Sequence, residues 1–312
     1  MLLVLARLMS LALALLVVVR LLGVERGSAL ALLVGALPLT LLPAYGVLAL
    51  AVALRRRWLA AGAVALIGAH LLVVAPALGA VAVSDEALSA PRLRVVTANL
   101  YVLNPDFVAA GTALQKLRPD VLIVPELSTA GLEGLRASGL LARLPHSVTQ
   151  LDTRQETVGL FSRLPLRDVT TRSSAGRELP RATVSVAGVD VRVLTAHPLP
   201  PLSVFQDLWR ASLADLAREV DRVDLPVVVA GDLNADRDHA AFRGLLDVGL
   251  RDSHDAVGRG LARTWPASLP VLHLDHVLVR DGEGARLVPL TVREAEIPGS
   301  DHKAVVADLA VL

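Results

Sequence analysis

Three long apolar runs open the chain, and a different rhythm follows them. Leu2 to Leu22, Ser28 to Leu54 and Trp58 to Val83 are nearly free of charge. Each matches the ~20 helical residues that cross a hydrocarbon core of ~30 Å. Lipid offers the backbone no hydrogen-bond partners, so each run is expected to be a helix, with Pro38, Pro43 and Pro76 kinking rather than abolishing it. A cleaved signal peptide would explain the first run alone and leaves the other two without a reason. From residue 92 onward, short β-rich runs alternate with helical periodicity. Strands are expected at Leu93 to Thr97, Val121 to Pro125, Val158 to Phe161, Ala182 to Val186, Val189 to Thr195, Val227 to Ala230, Asp275 to Val279 and Ala304 to Leu309. Helices are expected at Asp106 to Leu117, Leu132 to Leu141, Gln206 to Val223 and Asp238 to Leu246. Ala187 to Asp190 separates two strands as a hairpin turn. The pattern predicts a membrane anchor over 1–83, a polar linker over 84–91 and an α/β domain of mixed, helix-covered sheets over 92–312.

Composition sharpens this division. Of the residues, 54% are apolar and the mean hydropathy is +0.56, too high for an ordinary soluble chain. The formal charge of +1 hides six arginines against Glu25 in the first 83 residues, a balance of +5. The remaining 25 basic and 29 acidic residues give −4. Arg55, Arg56 and Arg57 between the second and third runs belong on the cytoplasmic side by the positive-inside rule. Three spans then put the C-terminal domain outside. Trp58 suits an interfacial anchor, and His70 inside the third run is expected to be a neutral residue bonded between helices. With no cysteine, disulfides, thiolate metal sites and a cysteine nucleophile are excluded.

The candidate chemistry sits at strand tips. Asn99, Glu126 and His197 each follow an expected strand, and Gly231 leads into Asp232-Leu233-Asn234. Asp275 begins one strand, and Asp301 and His302 precede the last. Tips along one sheet edge converge in space, and oxygen donors without cysteine suit Mg²⁺ or Mn²⁺. Each residue also has a plainer reading: Glu126 as a loop acid, Asn99 as a turn residue, Asp232 to Asn234 as an Asx turn before a helix.

These residues lie in TANL (97–100), PEL (125–127), FSRLPL (161–166), TAHPLPP (195–201), GDLN (231–234), TWP (264–266), LDHVLV (274–279) and GSDH (299–302). Together and in this order they resemble the endonuclease/exonuclease/phosphatase superfamily, over about residues 92–312. The resemblance implies a deoxyribonuclease I-like four-layer α/β sandwich, here preceded by three transmembrane helices, and metal-assisted hydrolysis of a phosphoester. It implies that Glu126 holds the metal with Asn99 in support and Asp301 close by. Asp232 would orient or deprotonate the attacking water, and Asn234 would steady the phosphoryl oxygens. His302, partnered by Asp275, would contact the scissile phosphate, with His197 as a second contact. Pro125 and Thr195 stand where this family commonly has Gln and Asn; neither change removes a group that touches metal or phosphate.

Three spans, this domain and the HPLPP stretch also resemble bacterial membrane phosphatases related to the teicoplanin-resistance protein VanJ. That branch implies a lipid-linked phosphate or pyrophosphate of the cell envelope as substrate and the bilayer as partner. A nuclease is the alternative, disfavoured by the absence of a basic tract for a polyanion. An inactive phosphate-binding sensor or scaffold is a further alternative, disfavoured by the complete acid, amide and histidine set. His276 should face away from Asp275 as a packing residue, while His146, His239, His254 and His273, without motif support, are expected at the surface. Trp265 is read as pocket lining or core, and Arg163, Arg181 and Arg210 as phosphate contacts or ordinary solvated or packed arginines.

Overall fold

The computed structural model describes residues 1–149, 157–175 and 177–312. Two of the apolar runs form single helices, α1 (Leu2–Leu22) and α5 (Arg57–Leu78). At 1.5 Å per residue they extend about 31 and 33 Å, so both are long and apolar enough to cross a membrane. Their outer faces carry Leu5, Leu8, Leu15, Leu71 and Leu72 exposed, as lipid-facing helices would.

The middle run departs from the straight span expected of it. It breaks into α2 (Ser28–Gly35), α3 (Leu37–Thr40) and α4 (Pro43–Ala53), and its two arms meet at 82°. Pro38 and Pro43 lack the N–H that would continue the helical ladder, so the prolines interrupt the helix rather than merely kink it. Among the described residues, helices long and apolar enough to cross a membrane therefore number two, or three if the bent pair is one span. His70 stitches this break to α5: its Nε2 lies 3.0 Å from the Pro38 carbonyl and its Nδ1 3.0 Å from the Tyr45 hydroxyl. The carbonyl can only accept, so Nε2 carries the proton and Nδ1 accepts from Tyr45. A short helix, α6 (Asp85–Ser89), capped by the Ser84 hydroxyl, occupies the linker.

Among the described residues, twelve strands then build two six-stranded sheets. The first contains β1 (Arg92–Thr97), β2 (Val121–Leu127), β3 (His146–Val148), β4 (Thr157–Ser162), β11 (Leu287–Glu296) and β12 (Lys303–Val311), in the order β11-β12-β1-β2-β4-β3. The second contains β5 (Arg167–Ser174), β6 (Arg177–Val186), β7 (Val189–Ala196), β8 (Val227–Asp232), β9 (Arg251–Asp252) and β10 (Asp275–Arg280), in the order β5-β6-β7-β8-β10-β9. Alternation along the strands sends one apolar set inward and the next outward. Val95, Ile123, Leu160 and Val305 meet Val184, Val193, Val228 and Val277 between the sheets. On the far side of the first sheet, Val96, Leu122 and Val306 pack on α7 (Phe107–Leu117) and α8 (Thr129–Ala137). On the far side of the second, Leu194, Val229 and Leu278 pack on α9 (Gln206–Asp221) and α10 (Ala240–Asp247). Two sheets face to face, each with a helical cover, are the four-layer sandwich.

The sequence pattern missed β3, β5, β9 and β11. β5 is a polar, largely exposed edge strand, RDVTTRSS, and β11 is the opposite sheet's edge with a bulge near Pro289. An edge strand needs no continuous apolar signal, because one side and often one face remain in water. The β6–β7 turn is as expected: Ala187 and Gly188 both have positive φ, matching a tight hairpin.

The apolar N-terminal helices and the α/β domain are joined by polar contacts at the C-terminal end of α1. The Arg20 guanidinium pairs with the fully buried Asp238 at 2.7 Å. The Glu25 carbonyl accepts from Gln206 and Arg210, and its carboxylate accepts from the Ala240 N–H at the start of α10. At the end of α5, the Ala77 carbonyl accepts from the Gly260 N–H. Arg7, Arg55, Arg56 and Arg57 line a recess at the opposite end of these helices.

Candidate active site

Strand direction brings the polar tips together. β10 runs antiparallel to β8 with Asp275 opposite Asp232, and β12 runs antiparallel to β1, so the starts of β10 and β12 share an edge with the ends of β1 and β8. β7 and β8 run parallel with Ala196 beside Gly231, which places His197 next to Asp232. Gly231 has φ 151°, and a Cβ there would come within 1.9 Å of the Ala196 carbonyl oxygen. Only glycine allows so close an approach of the two strands.

Asn99 lies between two carboxylates. Its amide donates to Glu126 Oε1 at 2.9 Å and to Asp232 Oδ2 at 3.0 Å, while its oxygen accepts the Tyr101 N–H. Glu126 Oε2 accepts the Val102 N–H, and Glu126 itself has φ 54° at an irregularity in β2. Asn234, also at positive φ, donates its N–H to Asp232 Oδ1 and its amide to the Pro198 carbonyl. The Asx turn read from GDLN is thus real, and it is how Asp232 is held within the cluster. Non-glycine residues at positive φ store strain, and here Tyr101, Glu126 and Asn234 gather it around one pocket.

His302 Nδ1 lies 2.8 Å from Asp275 Oδ2, and its Nε2 lies 3.8 Å from Asp232 Oδ2. Burial alone would lower its pKa, but Asp275 and Asp232 override that and push it up to about 10. Burial and the nearby Asp275 push Asp232 above the usual carboxylate range, against the pull of His302. His197 Nε2 approaches Asp232 at 4.0 Å; burial, with Arg177 and His302 close, holds its imidazole neutral. Asp301 Oδ2 accepts from the Trp265 indole, and Trp265 stacks at a tilt 6.4 Å from His302. All eight candidate site residues therefore meet in one region.

The donor set suits a hard cation. One ligand atom from each of Glu126, His197 and Asp232 lies within 4.8 Å of the others, and the same holds for Asp232, Asp275 and His302. Asp275 Oδ1 and Asp301 Oδ1 are buried without a hydrogen-bond partner. A buried carboxylate oxygen left without a donor is costly, and a cation relieves that cost.

Above this cluster opens a cavity of about 500 Å³. Ser28, Ala31 and Leu32 of α2 form one wall, and Pro200, Pro201, Leu202, Leu272, Leu274 and Trp265 extend the apolar lining. Arg177 lines the same cavity and donates to the His197 carbonyl. Nothing in the sequence singles it out, since an arginine opening a strand carries no signal of its own. The arginines expected as possible phosphate contacts lie elsewhere: Arg163 pairs with Asp120, Arg181 is buried against Glu219, and Arg210 reaches Glu25.

The histidines divide differently from expectation. His276 does point away from Asp275, bonding Asp252 and the Ala235 carbonyl. His239, His254 and His273, expected at the surface, are buried. His239 is pinned to the Ala31 carbonyl of α2 at 2.8 Å, while His273 packs on His276 and His254 packs on His273. Their burial carries no local signal, because it depends on partners such as Ala31 and Glu294 far away in the chain. His146, on the edge strand β3, is half-buried.

A two-sheet sandwich with carboxylates, amides and paired histidines at one edge defines a metal-dependent hydrolase of phosphoester bonds. The endonuclease/exonuclease/phosphatase family model matches residues 96–302, and the chain belongs to that family. No curated protein sequence matches the chain. Among solved structures, D. rerio TDP2 in complex with a single-strand DNA product is similar at 18% identity and TM-score 0.60, over 70% of this chain and 98% of that one. An endonuclease/exonuclease/phosphatase from Beutenbergia cavernae is similar at 21% identity and TM-score 0.57, over 71% and 72%. One from Bacteroides vulgatus is similar at 17% identity and TM-score 0.57, over 71% and 99%. At these identities the likeness is one of fold.

Proposed function

We propose that the chain is a membrane-tethered phosphatase of lipid-linked phosphates or pyrophosphates, with its catalytic domain on the outer face of the membrane. One observation carries the reading: the wall of the catalytic cavity is α2, part of the apolar N-terminal segment. Leu202, Val204 and Leu269 are exposed on loops near it. An acyl or prenyl chain leaving the cavity would run along Leu32 and Leu202, while a nucleic acid would meet a rim with little positive charge. The arginines at the far end of the helices support the topology, because they belong on the cytoplasmic side.

The chemistry follows from the groups in place. Glu126, with Asp301 close by, would hold Mg²⁺ or Mn²⁺, and Asn99 keeps Glu126 and Asp232 in position. The bound cation would act as a Lewis acid on the phosphoryl oxygens. Asp232, with its raised proton affinity, takes the proton of the attacking water at a carboxylate oxygen. His302 offers its Nε2–H to a phosphoryl oxygen while Asp275 fixes its Nδ1–H. Neutral His197 and the amide of Asn234 complete the cradle.

The test offers purified full-length protein, in detergent with Mg²⁺, undecaprenyl pyrophosphate, undecaprenyl phosphate, and single- and double-stranded DNA. Phosphate release from the lipids, abolished by chelator, is expected. Rapid DNA cleavage without release from lipid would replace this reading with a nuclease. Chelator-insensitive release, equal in wild type and Asp232→Ala, would leave only a binding module.

A further inference from the structure

A second cluster of metal-binding side chains lies outside the catalytic cavity, at the edge of the second sheet. Asp252 ends β9, His254 lies in the short helix α11 (Ser253–Ala256), and His273 precedes β10. All three are buried, and one ligand atom from each lies within 4.8 Å of the others. None of them lines the catalytic cavity.

Two ring nitrogens in this cluster have no hydrogen-bond partner: His254 Nδ1 and His273 Nε2. The other ring nitrogen of His254 and both carboxylate oxygens of Asp252 are already bonded. His254 Nε2 lies 2.9 Å from Glu294 Oε1, and Glu294 is held in turn by Arg259. Asp252 Oδ2 binds His276 Nδ1 at 2.6 Å, and Asp252 Oδ1 accepts the His254 N–H. A histidine that donates one ring N–H to a carboxylate and presents the other nitrogen bare is arranged as a metal ligand with its supporting partner. His254 Nδ1 lies 3.5 Å from Asp252 Oδ1 without a hydrogen bond to it; against the effect of burial, Asp252 and Glu294 push the imidazole pKa up to about 9, so a cation binding at Nδ1 takes the place of a proton. That 3.5 Å is close to the separation of two ligands sharing a tetrahedral ion with bonds of about 2.0–2.2 Å. One ring nitrogen of His273 lies within 4.8 Å of the other two ligands, so a side-chain shift of at most about 1.4 Å completes the set.

We propose that Asp252, His254 and His273 bind a transition-metal cation, Zn²⁺ by preference, at a site separate from the catalytic centre. Two imidazoles and one carboxylate select a borderline cation over Mg²⁺, which prefers oxygen. A water would complete four-coordination. The ion ties β9, α11 and the lead into β10 together. It thereby braces the strand that carries Asp275.

The experiment measures zinc in full-length protein purified in detergent from zinc-supplemented cells, by plasma mass spectrometry after dialysis. About one zinc per chain is expected in wild type. The same content is expected in Glu126→Gln/Asp232→Asn/His302→Ala, whose catalytic cavity has lost two carboxylates and an imidazole. In His254→Gln/His273→Gln the content should fall to below about a tenth. X-ray absorption at the zinc edge of the triple variant should show scattering from two imidazoles, with ligands at about 2.0–2.1 Å. That reading decides the matter even if the histidine variant does not fold. Zinc absent from wild type, lost from the triple variant, or bound without two imidazoles would overturn the proposal.

Discussion

His302 sits between Asp275 at 2.8 Å and Asp232 at 3.8 Å, and its charge depends on both. Its folded-state pKa is raised, so the imidazolium persists until the pH passes about 10. Removing a carboxylate removes part of what favours the charged form, and the pKa must fall. Asp275→Asn should therefore move the alkaline limb of kcat/KM toward neutrality by about 1–3 pH units, read from a pH–rate profile with Mg²⁺ saturating. An unchanged limb would mean that His302 does not carry the proton that matters. Asp232→Ala removes the group that receives the water's proton. A loss in kcat of about 10²–10⁴ is expected, with the circular dichroism spectrum unchanged.

At the scale of elements, the site depends on how closely β7 and β8 approach and on how α9 is fastened to the sheet. Gly231→Ala would drive a methyl group into the Ala196 carbonyl, and the clash is with backbone that cannot rotate away. A destabilisation of about 3 kcal/mol or more is expected, seen as a lower midpoint in thermal unfolding followed by circular dichroism. Arg181 on β6 is buried, and one guanidinium edge, Nε and Nη2, donates to both carboxylate oxygens of Glu219 on α9 while Nη1 donates to the Thr195 carbonyl. Burial tends to raise the Glu219 pKa, but Arg181 and its neighbours hold it below the usual range. Glu219→Ala leaves a cation inside the protein and should cost about 3–5 kcal/mol, whereas Arg163→Ala, at an exposed pair with Asp120, should cost less than about 1 kcal/mol.

The whole molecule couples a greasy bundle to a hydrolytic domain through Arg20, Glu25 and α2. If the apolar wall receives lipid, Leu32→Glu should raise KM for undecaprenyl pyrophosphate at least about tenfold, since a charge there costs more than about 1.4 kcal/mol of binding. Its KM for a small soluble phosphate ester should change far less; equal losses on both substrates would argue against a lipid chain at α2. Topology is open to a direct measurement. Glu283 is exposed, so Glu283→Cys should react with an impermeant maleimide on intact cells. Labelling only after lysis would place the domain inside.

Local pattern was enough for much of this. Apolar runs of spanning length, strands with alternating burial and the β6–β7 turn all follow from forces acting between near neighbours in sequence. The strand tips carrying Asn99, Glu126, His197, Asp232, Asp275 and His302 were legible too, because the ends of strands are where polar groups can gather. The rest was decided by partners far along the chain. The polar edge strands β5 and β11 exist because a neighbouring strand supplies their hydrogen bonds. The buried state of His239, His254 and His273 follows from an α2 carbonyl and a ring of distant carboxylates, and the break at Pro38 sets α2 against the catalytic cavity. Sequence determines which residues prefer lipid, core or water, whereas only the packed chain determines which of them face one another.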